Sequence, residues 1–183
     1  MRLPNLVYVA CGALLLALLS GCAPSDASPP PEPTSTFVAP YATDEEALAA
    51  AEEAYAEYVR VTGVVYSAEL SDPAMLSTVA SGDHLDELVQ EHAELETENE
   101  FIAGAQTFDQ VVLQRYSRDG SSREIIAVYL CDDLSKLEIV KDGIKFGPEK
   151  PLLPVTMQVV FDYSSLTQSL LVSARDIWSS EAC

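Results

Sequence analysis

The spacing of apolar residues changes once along this chain, near Glu100, and that change limits the fold more than any other feature. Before it the period is helical. Thr43 followed by Glu46 forms a capping box, with Asp44 and Glu45 in the first turn, where negative charge suits the helix dipole. Leu48, Ala51, Tyr55, Tyr58, Val59 and Thr62 recur at helical spacing and predict a helix over about residues 43–62. Asp72-Pro73 predicts a second, short helix with proline at its first position, stopping near Ser81-Gly82. A third runs over about 83–98 and turns Leu85, Leu88, Val89 and Leu95 inward.

After Glu100 the pattern becomes that of strands. Residues 108–117, 123–131, 137–141, 155–162 and 166–178 are rich in β-branched and aromatic side chains. Turn signals separate them: Arg118-Asp119-Gly120-Ser121, Lys141-Asp142-Gly143 and Asp162-Tyr163-Ser164-Ser165. Val155, Met157, Val159 and Phe161 alternate with Thr156, Gln158, Val160 and Asp162, as in a half-buried strand. Short connections imply antiparallel pairing, and helices grouped ahead of strands imply an α+β fold. The expected architecture is N-terminal helices packed on a curved antiparallel sheet.

The first 42 residues do not fit that scheme. Arg2 precedes 15 uncharged residues, 6–20, which is short of the roughly 20 needed to cross a bilayer as a helix. A basic start, a short apolar run and a small-residue exit mark a secretory signal. Residues 23–42 include six prolines and predict an extended tether, at ~3.1 Å per residue roughly 60 Å long. The expected divisions are a signal peptide at 1–21, a lipidated Cys22 and tether at 22–42, and one α+β domain at 43–183.

Leu19-Ser20-Gly21-Cys22 resembles the lipobox of bacterial lipoproteins at all four positions. The resemblance implies cleavage before Cys22 and acylation of its thiol, palmitate being a usual chain. Two or more acyl chains hold a protein on a membrane where one does so only marginally. The implied location is the extracytoplasmic face of the cell membrane. Cleavage would leave 9 basic against 29 acidic residues, a net charge of −20. Such a surface excludes nucleic acid, which requires Lys and Arg to displace counterions from phosphate. Of the four cysteines, Cys11 would leave with the signal and Cys22 would carry lipid. Cys131 and Cys183 remain, and an oxidising compartment favours their pairing as a disulfide over two free thiols.

Helices followed by a curved sheet resemble the nuclear transport factor 2-like, or cystatin-like, superfamily. More narrowly, the chain is similar to small actinobacterial lipoproteins of that fold. The features carrying the resemblance are Cys22, the tether, Tyr129-Leu130-Cys131-Asp132 at a strand end, and a last strand that ends with Trp178 to Cys183. It implies a cone with a pocket between sheet and helices, and no particular activity.

Motifs for catalysis are missing. The chain has no Gly-x-Gly-x-x-Gly, phosphate-binding loop, Gly-x-Ser-x-Gly, His-Glu-x-x-His, Cys-x-x-Cys or calcium loop, so no catalytic, metal or cofactor-binding residue is assigned. His92 falls on the apolar face of the third helix. It is either a packed core histidine or a polar group facing the pocket, able to exchange a proton near neutral pH. His84, at that helix's start, is expected to be exposed. Glu87, Glu91, Glu94 and Glu98 share one face, a solvated surface or a site for divalent cations or a basic partner. With no Lys or Arg between Asp83 and Glu100, that helix must be secured by packing. Asp132 and Asp133 follow Cys131, but no spacing pairs either with one of Tyr55, Tyr58, Tyr66, Tyr116 or Tyr129. The expected function is a membrane-anchored, non-catalytic domain binding a small molecule or an envelope protein. The alternative is a small pocket enzyme of the isomerase or dehydratase kind.

Overall fold

The first helix, α1, spans Asp44–Val65 and begins at the expected cap. The structure is a computed structural model and describes residues 38–68, 72–119, 122–147 and 152–183, all within one unit, Ser35–Cys183. The proposed signal peptide, Cys22, the tether as far as residue 37, and Gly120-Ser121 lie outside the described residues. Thr43 Oγ1 accepts the Glu46 N–H at 3.2 Å, and Glu46 reaches back to the Ala42 N–H at 2.8 Å. Ala47, Ala51, Tyr55, Tyr58, Val61, Thr62 and Val65 face inward, while the expected Leu48 and Val59 are only partly buried. The helix runs a turn past Thr62 because its extension buries Val65 and is followed by the buried Tyr66.

The expected second helix is a 3₁₀ turn, Pro73–Thr78, whose first turn is capped by Asp72 on the Ala74 N–H. Helix α2 spans Gly82–Glu98 and buries Leu88, His92 and Leu95. Val89, expected inside, is exposed. Its cap is displaced by tertiary structure: Ser81 Oγ donates to Asp162 rather than serving the helix. The acidic C-terminal end is relieved from elsewhere, since Lys141 reaches Glu98 at 2.9 Å and Glu100 at 3.0 Å.

Among the described residues seven strands follow: β1 (Glu100–Ala103), β2 (Thr107–Tyr116), β3 (Glu124–Asp133), β4 (Glu138–Lys141), β5 (Ile144–Phe146), β6 (Val155–Ser164) and β7 (Ser169–Ala182). All named strands pair antiparallel, but in two sheets, ordered β2-β3-β6-β7 and β1-β4-β5. The fold is α+β, with the helices packed against antiparallel sheets and no closed barrel. β1 and β5, of four and three residues, were not expected from the sequence pattern. Asp142 and Gly143, both at positive φ, supply the tight turn that makes β4 and β5 a hairpin.

The inner face of the larger sheet carries Ile126, Val128 and Leu130 from β3 and Met157, Val159 and Phe161 from β6, against the α1 stripe. Cys131 points to the opposite face and is bonded to Cys183, with Cα atoms 5.9 Å apart and a sequence separation of 52. The domain also begins earlier than residue 43. The Tyr41 N–H and C=O both bond the Tyr116 hydroxyl at 2.9 Å, so Tyr41 belongs to the fold and not to a tether.

Candidate functional site

A cavity of about 600 Å³ opens between α1, α2, the end of β1 and its link to β2, the β3–β4 turn and β7. That volume lies in the range of small-molecule sites. Val59, Val64, Leu88, Ile102, Leu134 and Leu137 give it an apolar wall. Two glycines shape it. Gly104, at φ +100°, lets the chain pass so close to the next turn that an added Cβ would stand 1.9 Å from the Lys136 carbonyl oxygen. Gly63 lies inside α1, where an added Cβ would meet nothing within 4 Å.

The polar part of the wall rests on a buried network. Asp132 is wholly inaccessible and lies in phase with Ile126, Val128 and Leu130 on the inner face of β3. Its carboxylate accepts from the Tyr55 hydroxyl at 3.0 Å, from the Gln106 amide at 2.8 and 3.0 Å, and from Arg175 Nη2. Arg175 Nε in turn donates to the Tyr55 hydroxyl at 3.0 Å, closing a ring in which each bond polarises the next. Burial pushes the Tyr55 phenol well above its ordinary range, so it acts as a donor to Asp132 at neutral pH. Phe108 packs edge-on to Tyr55 at 4.9 Å and Tyr58 stacks on its other side at 5.5 Å, which holds the ring in place.

Arg175 faces inward because of a bulge. In β7, Val172 pairs with Phe161 and Ala174 pairs with Val160, so one extra residue lies between them. The bulge shifts the alternation, and Arg175 comes opposite the buried Val159 instead of pointing to solvent. Its Nη1 makes no hydrogen bond among the described residues, and the side chain lines the cavity.

A second pair stands beside it. The Tyr58 hydroxyl lies 3.1 Å from His84 Nε2, with the two rings stacked at 5.8 Å. Burial pushes the Tyr58 phenol up to about 12, so the hydroxyl keeps its proton, and the tautomer of His84 sets which of the two groups donates. Burial likewise lowers the His84 pKa, outweighing the opposite pull of Glu87, which is 3.6 Å from Nδ1. His84 is thus a cavity residue, not an exposed one. His92, the residue singled out as bordering the pocket, does not line this cavity. It is buried, its Nε2 without a hydrogen-bond partner, because α2 turns that position toward the core with Leu88 and Leu95.

The acidic face of α2 divides. Glu87 and Glu91 border the cavity, whereas Glu94 and Glu98 flank a shallow surface depression. Among the described residues no group of three or more His, Cys, Asp or Glu is placed to hold a metal ion. No described helix is long and apolar enough to cross a membrane.

Sequence reasoning missed the Tyr55–Asp132–Arg175–Gln106 network. One signal was present: Asp132 continues the inward phase of an otherwise apolar strand. Its partners were not legible, since they come from α1, from the link between β1 and β2, and from a bulge.

No protein-family profile matches the chain, and no curated protein matches it in sequence. Among solved structures it is similar to the intermembrane space region of the chloroplast protein ARC6, with a TM-score of 0.53 and 12% identity. The match covers 71% of this chain and 95% of that one, and at such identity it concerns the fold alone. A solution structure of a de novo β-sheet design aligns at a TM-score of 0.31 and 16% identity, over 74% of this chain and 92% of that one, too low to carry any argument.

Proposed function

We propose that this protein is a lipid-anchored, extracytoplasmic binding domain that takes a small molecule into the cavity between its helices and sheets. Gly63 carries the reading. It stands in the last turn of α1 on the cavity wall, and no packing demand calls for glycine there, since a Cβ would meet open space. A local rule broken without a packing reason is expected at a functional site. Leu19-Ser20-Gly21-Cys22 supports the anchor, and the Cys131–Cys183 bond suits an oxidising compartment. The helices-then-strands order supports membership of the nuclear transport factor 2-like group.

The alternative, a pocket enzyme, draws on Tyr58 and His84, a hydrogen-bonded pair on the cavity wall. Binding is favoured over it because the Asp–Tyr pair such an enzyme would use is sealed: Tyr55 and Asp132 have no accessible surface, and both carboxylate oxygens accept from protein donors.

The test is Gly63→Leu in the full chain, titrated with the uncharged probe 2-acetonaphthone. The variant is expected to melt no lower than the parent and to lose binding. Unchanged binding would remove the cavity from the argument. The anchor is tested apart from this: Cys22→Ala is expected to abolish acyl labelling, and persistent labelling would sink it.

A further inference from the structure

We infer that the cavity selects a molecule with an apolar body and one carboxylate, bound carboxylate-first against Arg175. This rests on the cavity being a binding site and adds the class of ligand and its direction. The charged groups along the wall are ordered by depth. Arg175 is inside, its side chain 20% exposed, while Glu87 at the mouth is 76% exposed and Glu91 beside it is also exposed. Arg60 is at the mouth too, but both its guanidinium bonds go to Glu57, at 2.7 and 2.5 Å.

The guanidinium is prepared for such a partner. Nε and Nη2 are committed to Tyr55 and Asp132, which fixes the plane of the group without using its Nη1 edge. Side-chain entropy that would otherwise be lost on binding is thereby lost in folding. Asp132 offsets the charge, but it lies behind Arg175, so the positive end of the pair points into the cavity. Among the described residues no other lysine or arginine lines the cavity besides Arg60 at the mouth. A carboxylate at the mouth would meet Glu87 and Glu91, and one at the floor would meet Arg175. The apolar wall between them covers the body of the ligand.

The experiment compares 2-naphthoate with the nearly isosteric, uncharged 2-acetonaphthone by titration calorimetry on the full chain. Naphthoate is expected to bind at least about tenfold more tightly, the scale of a charge-assisted hydrogen bond. Asp132→Asn combined with Arg175→Gln removes both buried charges together and so protects folding. In that variant the ratio of naphthoate to ketone affinity is expected to fall to about unity. Glu87→Gln with Glu91→Gln alters only exposed carboxylates and is expected to tighten naphthoate alone. Ketone binding without a preference for naphthoate overturns this inference and leaves the cavity reading standing. A preference that survives loss of Arg175 overturns it equally. Binding of neither probe overturns both.

Discussion

Arg175→Met tests whether the buried network is a structural unit. The substitution keeps an unbranched apolar stem but leaves Asp132, with no accessible surface, without its cation. Breaking a buried pair by removing one partner costs about 3–5 kcal/mol, because the remaining charge is left in a poor solvent. Tyr55 and Gln106 still donate to the carboxylate, which places the expected loss near the lower end, about 3 kcal/mol. For a domain of this size that corresponds to a fall in Tm of roughly 6–12 °C. Asp132→Asn in the same chain removes the stranded charge while keeping an acceptor for Tyr55. The double variant is expected to recover all but about 1 kcal/mol, a coupling of at least about 2 kcal/mol between the sites, because Asp132→Asn alone strands Arg175 and also costs stability. Urea unfolding followed by far-UV circular dichroism measures all four corners of the cycle. Additive losses, or an Arg175→Met variant within about 1 kcal/mol of the parent, would refute the reasoning.

Three further outcomes follow from the same coordinates. Gly104→Ala forces an L side chain at φ +100° against the Lys136 carbonyl, and is expected to cost at least about 1–3 kcal/mol in the same denaturation assay; a neutral result would mean the turn is free to move. Replacing Cys131 and Cys183 with serine opens a loop of 52 residues, worth roughly 4 kcal/mol in the chain-entropy model, and should loosen the end of β7 first, seen in the emission of Trp178, the chain's sole tryptophan, which packs on Tyr129. His84 has a folded-state pKa lowered by burial, so the unfolded chain binds the proton more tightly. Its contribution is complete above the unfolded value of about 6.5 and is lost as pH falls from there toward the lower folded value, a slope that His84→Gln should flatten and that chemical denaturation at several pH values would reveal.

The period of the apolar residues was sufficient for the class of fold. Thr43 and Glu46 marked the start of α1, and Val155, Met157, Val159 and Phe161 marked the inner face of β6, because capping and alternation are local properties. The cysteine pair was legible by elimination, and the structure joins it. The acidic end of α2 was legible as a problem, and its remedy was not, since Lys141 arrives from a strand more than 40 residues away in sequence. The same reason separates His92 from His84. Helical spacing places both on α2, but only the packing of β1, β7 and α1 around that helix decides which turn faces the core and which faces open space. Asp132 could be suspected from its inward phase, whereas Arg175 could not. A single bulge residue reverses the alternation of β7, and bulges are set by pairing with a neighbouring strand, which the one-dimensional pattern does not contain. Local sequence thus determined the elements and their faces. The site exists only where four distant segments meet, and its chemistry was decided there by burial and by the strand register.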